Sequence, residues 1–245
     1  MANQISLLTY LQNALPAIPT NAPPVPGPNT TNGAYNANDI QTTAVWNGFN
    51  LNILLPAFQN LLAQVHLMPD PMPASPPRPI TAENALRSKV SEYVFPRLNG
   101  LTPVSLDVGE SAEIIDGFKP DTAYFEVALP AGTGPNRAPG DIKPSWKWNT
   151  PMATNLIPGV RKEYRQALSQ VNWYMKQHKA RYGFLLTDVE LVVFRRLDDN
   201  GNLELAPAIP FTAGGTPTQP QLTVIFALWC LGMMAAHDGP GGWEM

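Results

Sequence analysis

A run of about twenty residues, VRKEYRQALSQVNWYMKQHKA at 160–180, leads with almost no break into two strand-like segments, YGFLLTD and VELVVFRR, at 182–196. The first segment sets Ala167, Val171 and Tyr174 on one side of a helix. The two that follow are short, apolar and rich in branched and aromatic residues, which is a strand signature. A helix followed at once by such strands must lay its apolar side on a sheet. Upstream stand further strand candidates at 104–107, 111–115, 122–129 and 140–143. Ahead of them, TAENALRSKVSEYVFPRLNG predicts a helix with Thr81 as N-cap, Glu83 in the first turn, Leu86, Val90 and Val94 on the apolar side and a stop at Pro96. Downstream, the 15-residue apolar run LTVIFALWCLGMMAA at 222–236 falls short of the ~20 residues that span a bilayer, so it predicts a buried helix and no membrane partner. This order implies an α/β (α+β) protein, a mixed central β-sheet flanked by helices.

The 27 prolines are unevenly placed. Two Pro-rich connections, 21–39 and 68–79, separate short helices expected at about 4–15 and 45–65, the latter kinked by Pro56. Residues 1–80 therefore read as an N-terminal helical and Pro-rich extension, an arm that could meet a protein partner, and 81–245 as the main domain. A net charge of −3 gives no global pull on nucleic acid, so a polyanion would need a local basic patch or bound cations. The single cysteine, Cys230, excludes an intrachain disulfide framework and suits a reducing compartment, nucleus or cytoplasm. No basic segment precedes the first apolar residues, so no secretory signal is expected. His66, His178 and His237 lack metal-ligand spacing, and no phosphate-binding glycine loop is present.

Chemistry concentrates in KPDTAYFEVALPAGTGPNRAPGDIKPSWKW, residues 119–148. On an extended strand Asp141 and Lys143 point to one face while Ile142 points to the core. If 122–129 pairs with 140–143, Asp121 comes close to Asp141 across 20 residues of sequence. Two converging carboxylates repel unless a cation neutralises them, which is how oxygen-ligand Mg²⁺ or Mn²⁺ sites are built. Lys143 could then position a water or stabilise developing charge. The plainer reading is a surface acid–lysine pair. As an exposed strand-edge lysine, Lys143 is expected to contribute little to stability, so Lys143→Ala should leave the fold intact while removing any chemistry that uses the lysine. Trp146 and Trp148, with Lys147 between them, suit either base stacking or a capped core edge. Arg161, Lys162, Arg165, Lys176, Lys179 and Arg181 suit either phosphate contacts or a solvated helix face.

Pro120-Asp121, then Asp141-Ile142-Lys143, then a helix with Gln166 and Gln170 four apart on one face, resembles the PD-(D/E)XK nuclease-like superfamily. The segment PGDIKPSWKW is similar in particular to a set of uncharacterised fungal proteins with a PGD-x-K-x-S-x-KW stretch. The resemblance covers roughly 81–236. It implies a restriction-endonuclease-like core and Mg²⁺- or Mn²⁺-dependent hydrolysis of DNA or RNA. It implies that Asp121 and Asp141 bind the metal with an acid from the first core helix, Glu92 or else Glu83, and that Gln166 and Gln170 border the site. The sequence departs from the pattern in having Asp as the second acid and Pro144 directly after the lysine, so a catalytically inactive, nuclease-like interaction module is the alternative.

Overall fold

The computed structural model describes residues 4–245. Its elements are, in chain order, strand β1 (Ile5–Ser6), helix α1 (Leu7–Leu11), strand β2 (Thr42–Val45), helices α2 (Leu51–Ala57) and α3 (Gln59–Gln64), strand β3 (His66–Leu67) and helix α4 (Glu83–Leu98). Strands β4 (Ser105–Val108), β5 (Thr122–Phe125) and β6 (Gly140–Ile142) follow. Helix α5 (Pro158–Gln177), strands β7 (Tyr182–Leu186), β8 (Glu190–Arg196), β9 (Asn202–Leu205) and β10 (Ile209–Pro210), and helix α6 (Val224–Ala235) complete the chain. The central sheet is mixed and runs β2-β9-β8-β7-β6-β5-β4, with β10 added to β8. Pairs β6–β7 and β2–β9 are parallel; the others in this sheet are antiparallel. Because β6 and β7 are parallel, the chain between them must cross over the sheet, and α5 is that crossover.

Strand alternation sorts the side chains to two faces. Phe184, Leu186, Leu191 and Val193 join one core with α4 and α6, whereas Leu185, Val192 and Phe194 join another with Ala167, Leu168 and Val171 of α5. α5 accordingly has one apolar side, while α6 is buried at every residue from Val224 to Gly232 and carries no polar face. Thr223 starts α6 by accepting a hydrogen bond from Phe226 N at 3.0 Å. No helix among the described residues is long and apolar enough to cross a membrane.

Several expectations change. α4 opens after Ala82 without a side-chain cap, so Thr81 is not its N-cap, and it runs through Pro96 to Leu98. Phe95 and Leu98 are both buried, and that packing carries the last turn past the proline. Pro56 sits inside α2, and the division falls at Phe58. The segment 111–115 is not a strand: a short 3₁₀ turn, Gly109–Ser111, leads into a loop whose Glu113 N bonds to Gly134 O. The largest difference is at the N-terminus. Leu7, Leu11, Leu15, Ile18, Trp46, Phe49, Leu54 and Leu62 lie in the same core as α4 and α6, and β2 extends the central sheet. The expected boundary at 80/81, with an arm outside the main domain, therefore does not describe how this region packs. Its prolines stiffen the connections, and apolar residues between them dock at intervals.

Candidate active site

Thr122 of β5 pairs with Gly140 of β6 in antiparallel register, so the next residues outward, Asp121 and Asp141, face each other across the two strands. Gly140 is what lets the strands meet there: a Cβ would lie 2.2 Å from the Phe184 ring and 2.5 Å from Thr122 Oγ1. Ile142 N donates to Asp121 Oδ2 at 2.9 Å, which fixes the first acid against the second strand. Lys143 N donates to Leu186 O at 3.0 Å, so the ladder with β7 continues one residue beyond β6. Pro144 consequently leaves Lys143 in line with Asp141, and Ile142 faces the core as its position requires.

The charges are deeply buried. Asp141 is 1% and Lys143 2% exposed, and Lys143 Nζ stands 2.6 Å from Asp141 Oδ2. Arg87 Nε of α4 lies 2.9 Å from Asp121 Oδ2. Neither contact is aligned as a hydrogen bond, and Asp141 Oδ2 and Arg87 Nε have no hydrogen-bond partner. The two carboxyls also meet each other side chain to side chain. Burial, then the neighbouring Asp141 charge, push Asp121 up to about 9, so it holds a proton at neutral pH. Burial works against ionisation of Asp141 too, but Lys143 and the hydrogen bond from Asp121 outweigh it and hold Asp141 below the usual carboxylate range. Burial opposes the charge on Lys143, yet Asp141, Glu83 and Asp121 keep its pKa raised. The unit is thus two adjoining carboxyls of opposite tendency, Asp121 shifted towards its neutral form and Asp141 towards its ionised one, beside Lys143.

The two helix acids separate clearly. Glu83 accepts from Arg87 and, at 3.0 Å, from Lys147 Nζ, so it joins the acid pair through Arg87. Glu92 is half-exposed and pairs with Lys89 at 2.6 Å, with no contact to Asp121 or Asp141. Glu92, the first choice for a third metal ligand, is therefore replaced by Glu83 as the acid nearest the site. The expectation that Lys143 is an exposed strand-edge residue is also corrected, because β6 lies between β5 and β7. Both glutamines are buried. Gln166 Nε2 donates to Thr30 O at 2.9 Å, and Gln170 Nε2 donates to the Tyr174 hydroxyl at 3.0 Å.

Two tyrosines escaped the sequence reading. Tyr174 and Tyr35 are both buried beside the acids, and burial, followed by the Asp141 charge, raises both phenols. The spacing of Tyr174 with Ala167 and Val171 predicts only an apolar side of α5, and Tyr35 lies in a linker whose composition carries no such signal. Trp148 is a core residue stacked on Tyr164 at 5.4 Å, whereas half-buried Trp146 lines a surface cleft of about 520 Å³ together with Lys147 and Glu163. Arg181 is spent on the C-terminal tail, its Nε donating to Gly242 O at 2.7 Å. Arg161, Lys162 and Arg165 flank a polar cleft with Ala37 and Asn38.

Among the described residues no three His, Cys, Asp or Glu side chains converge into a ready-made metal cage. The donor set nevertheless suits a hard divalent ion, because Mg²⁺ is commonly held by one or two carboxylates and completes its shell with water and substrate oxygens. Asp121 and Asp141 are two such carboxylates, set opposite each other by the strand register, and Asp141 Oδ2 lacks an aligned donor. A comparison with protein families, curated proteins and solved structures returns no match.

Proposed function

We propose that this chain is a metal-dependent phosphodiesterase of the PD-(D/E)XK nuclease-like class that acts on DNA or RNA. The observation that carries the reading is the strand register that sets Asp121 opposite Asp141, with Lys143 Nζ 2.6 Å from Asp141 Oδ2. The succession α4, β4, β5, β6, α5, β7, with a three-strand meander, a helical crossover and a fourth strand parallel to the third, supports it as the restriction-endonuclease-like core. Asp121 and Asp141 would hold Mg²⁺ or Mn²⁺, which when bound polarises a phosphoryl oxygen and lowers the pKa of a coordinated water.

The chain's own groups have distinct tasks on this reading. Lys143 orients the attacking water and stabilises negative charge on the phosphoryl oxygens, and Asp141 keeps the ammonium aimed. Arg87 compensates Asp121, and Glu83 tethers Arg87 from the other side. Gln170 holds the Tyr174 hydroxyl at the edge of the acids.

Calorimetric titration of Mn²⁺ and Mg²⁺ should show one binding event that Asp141→Asn removes, and the same substitution should abolish cleavage of mixed single- and double-stranded DNA and RNA. Absence of binding at millimolar metal would overturn the proposal. A second reading, a catalytically inactive nuclease-like module, has one observation in its favour: Arg87 and Lys143 already stand against Asp121 and Asp141, where a metal ion would otherwise supply the positive charge. On that reading the wild type and Asp141→Asn behave alike toward metal.

A further inference from the structure

Asp141, Lys143 and both glutamines are buried and the Asp121 side chain is only 11% exposed, although a phosphodiester would have to reach them. What lies over them is the segment 26–39. It has the composition of an exposed linker, and most of it is exposed; between 26 and 39 only Asn29, Tyr35 and Ala37 are buried. Asn29 and Tyr35 are attachment points. Asn29 N donates to Glu163 Oε2 at 2.6 Å, and its Nδ2 donates to the carbonyls of Lys147 and Glu163, both at 3.1 Å. Between these points Thr30 O takes the hydrogen bond of Gln166. Tyr35 packs edge-on against Phe118 with ring centroids 6.2 Å apart, three residues before Asp121, and its hydroxyl approaches Tyr174 beside Asp141. The strap ends in a 3₁₀ turn, Ala37–Asp39, closed by a capping box with Asn36.

We infer that residues 26–39 form a removable cover over the Asp121–Asp141–Lys143 site, pinned by Asn29 and Tyr35, which lifts to admit substrate. The physical ground is the asymmetry of its attachment. A segment with three buried residues and a handful of hydrogen bonds opens far more often than the sheet beneath it, and such low-stability elements are the ones from which lids are drawn. Anchors at both ends keep the lifted strap close: Thr20 bridges Ile80 before it, and Gln41 N bonds to Gly201 O after it. As a gate for catalysis, the inference rests on the proposed phosphodiesterase reading; as a cover, it stands on geometry alone.

The test separates the two. Gln170→Cys places a thiol at a buried position beside the Tyr174 hydroxyl that Tyr35 approaches, and the one native cysteine, Cys230, is fully buried and silent. In the Gln170→Cys protein, maleimide labelling should be slow. Adding Tyr35→Ala, or independently Asn29→Ala, should speed it about tenfold or more while the circular dichroism spectrum and the cooperative unfolding transition persist, as expected when local opening becomes easier. Two separate pins guard against one variant failing to fold. Labelling that stays at the parental rate in both folded variants overturns the cover, whatever the cleavage assays show. In the native chain, with Gln170 in place, Tyr35→Ala should also raise cleavage of a single-stranded oligonucleotide with Mn²⁺. Faster labelling with no cleavage and no metal binding in the native-chain Tyr35→Ala protein upholds the cover and removes the phosphodiesterase reading instead.

Discussion

Lys143 and Arg137 are both buried cations on neighbouring parts of the chain, and they are compensated in opposite ways. Arg137 NH2 bonds to Glu126 at 2.7 Å and NH1 to Asp238 at 3.1 Å, and the guanidinium lies 4.9 Å from the Trp243 ring centroid. Its acids are wet, with side chains 43% and 72% exposed against 10% for the arginine. Water thus carries much of the solvation, and the group fastens the C-terminal tail. Lys143 instead faces an acid as dry as itself, and that acid abuts a second one that must keep a proton. A fold needing only a fastening has no use for two adjacent carboxyls in its interior, because like charges at close range work against each other and desolvation penalises both. The difference is what the proposed phosphodiesterase reading would account for.

The comparison breaks if the two cations are equally dispensable. Lys143→Ala leaves Asp141 buried without its counter-charge and should cost about 3–5 kcal/mol at pH 8. Arg137→Ala leaves acids that water can solvate and should cost about 1–2 kcal/mol. Urea unfolding of both variants decides it; equal losses would erase the distinction. The Lys143→Ala deficit should shrink as pH falls, since Asp141 can then take up a proton.

A third buried group near Arg137 shows how this interior treats an ionisable side chain it has no use for as an ion. His178 Nδ1 accepts from Asn136 N at 3.2 Å, and burial lowers its pKa to about 4. Its folded pKa lies below its unfolded value, so the unfolded chain binds the extra proton. Stability from this group is complete above about pH 6.5 and is lost as pH falls to about 4, by up to about 3 kcal/mol. Asp121 has the opposite sign: raised to about 9, it contributes stability that is full below about pH 4 and is lost as pH rises through 9. NMR titration of His178 and the pH profile of Asp121→Asn, which imitates the protonated acid, should separate the two. A His178 midpoint near 6.5 would sink the first assignment, and an unchanged alkaline slope in Asp121→Asn the second.

Sequence reasoning reached the central part of this picture because strand periodicity is local. The two-residue spacing of Asp141 and Lys143, the pairing that brings Asp121 alongside, and the sheet flanked by helices all follow from alternation and order. It did not reach the burial of Lys143, since nothing in Asp-Ile-Lys says whether β6 is an edge or a central strand. That depends on β7 and β8, which lie forty to fifty residues away. The N-terminal residues were misplaced for a related reason. Leu7, Trp46 and Phe49 sit among prolines and asparagines, and composition reports the connections between anchors without revealing where the anchors dock. Tyr35 illustrates the limit best, one buried ring in a run of exposed polar residues.

The smallest expected effect sharpens the choice between the two helix acids. Glu92 and Lys89 form an exposed pair midway along α4, so Glu92→Ala should leave the Tm unchanged within about 1 °C and leave metal affinity alone. Glu83 is different because it shares Arg87 with Asp121. Removing it lets the guanidinium turn wholly to Asp121, where it competes with a divalent cation for the same carboxylate, so Glu83→Ala should weaken Mn²⁺ binding by roughly three- to tenfold. The same change frees Lys147 from its only acidic partner among the described residues. Calorimetry on the two variants, at one pH and one ionic strength, reads the difference directly. Weaker binding in Glu92→Ala with no change in Glu83→Ala would mean that the acid completing the site comes from the far end of α4, and that the Arg87 linkage is only a fastening like that of Arg137.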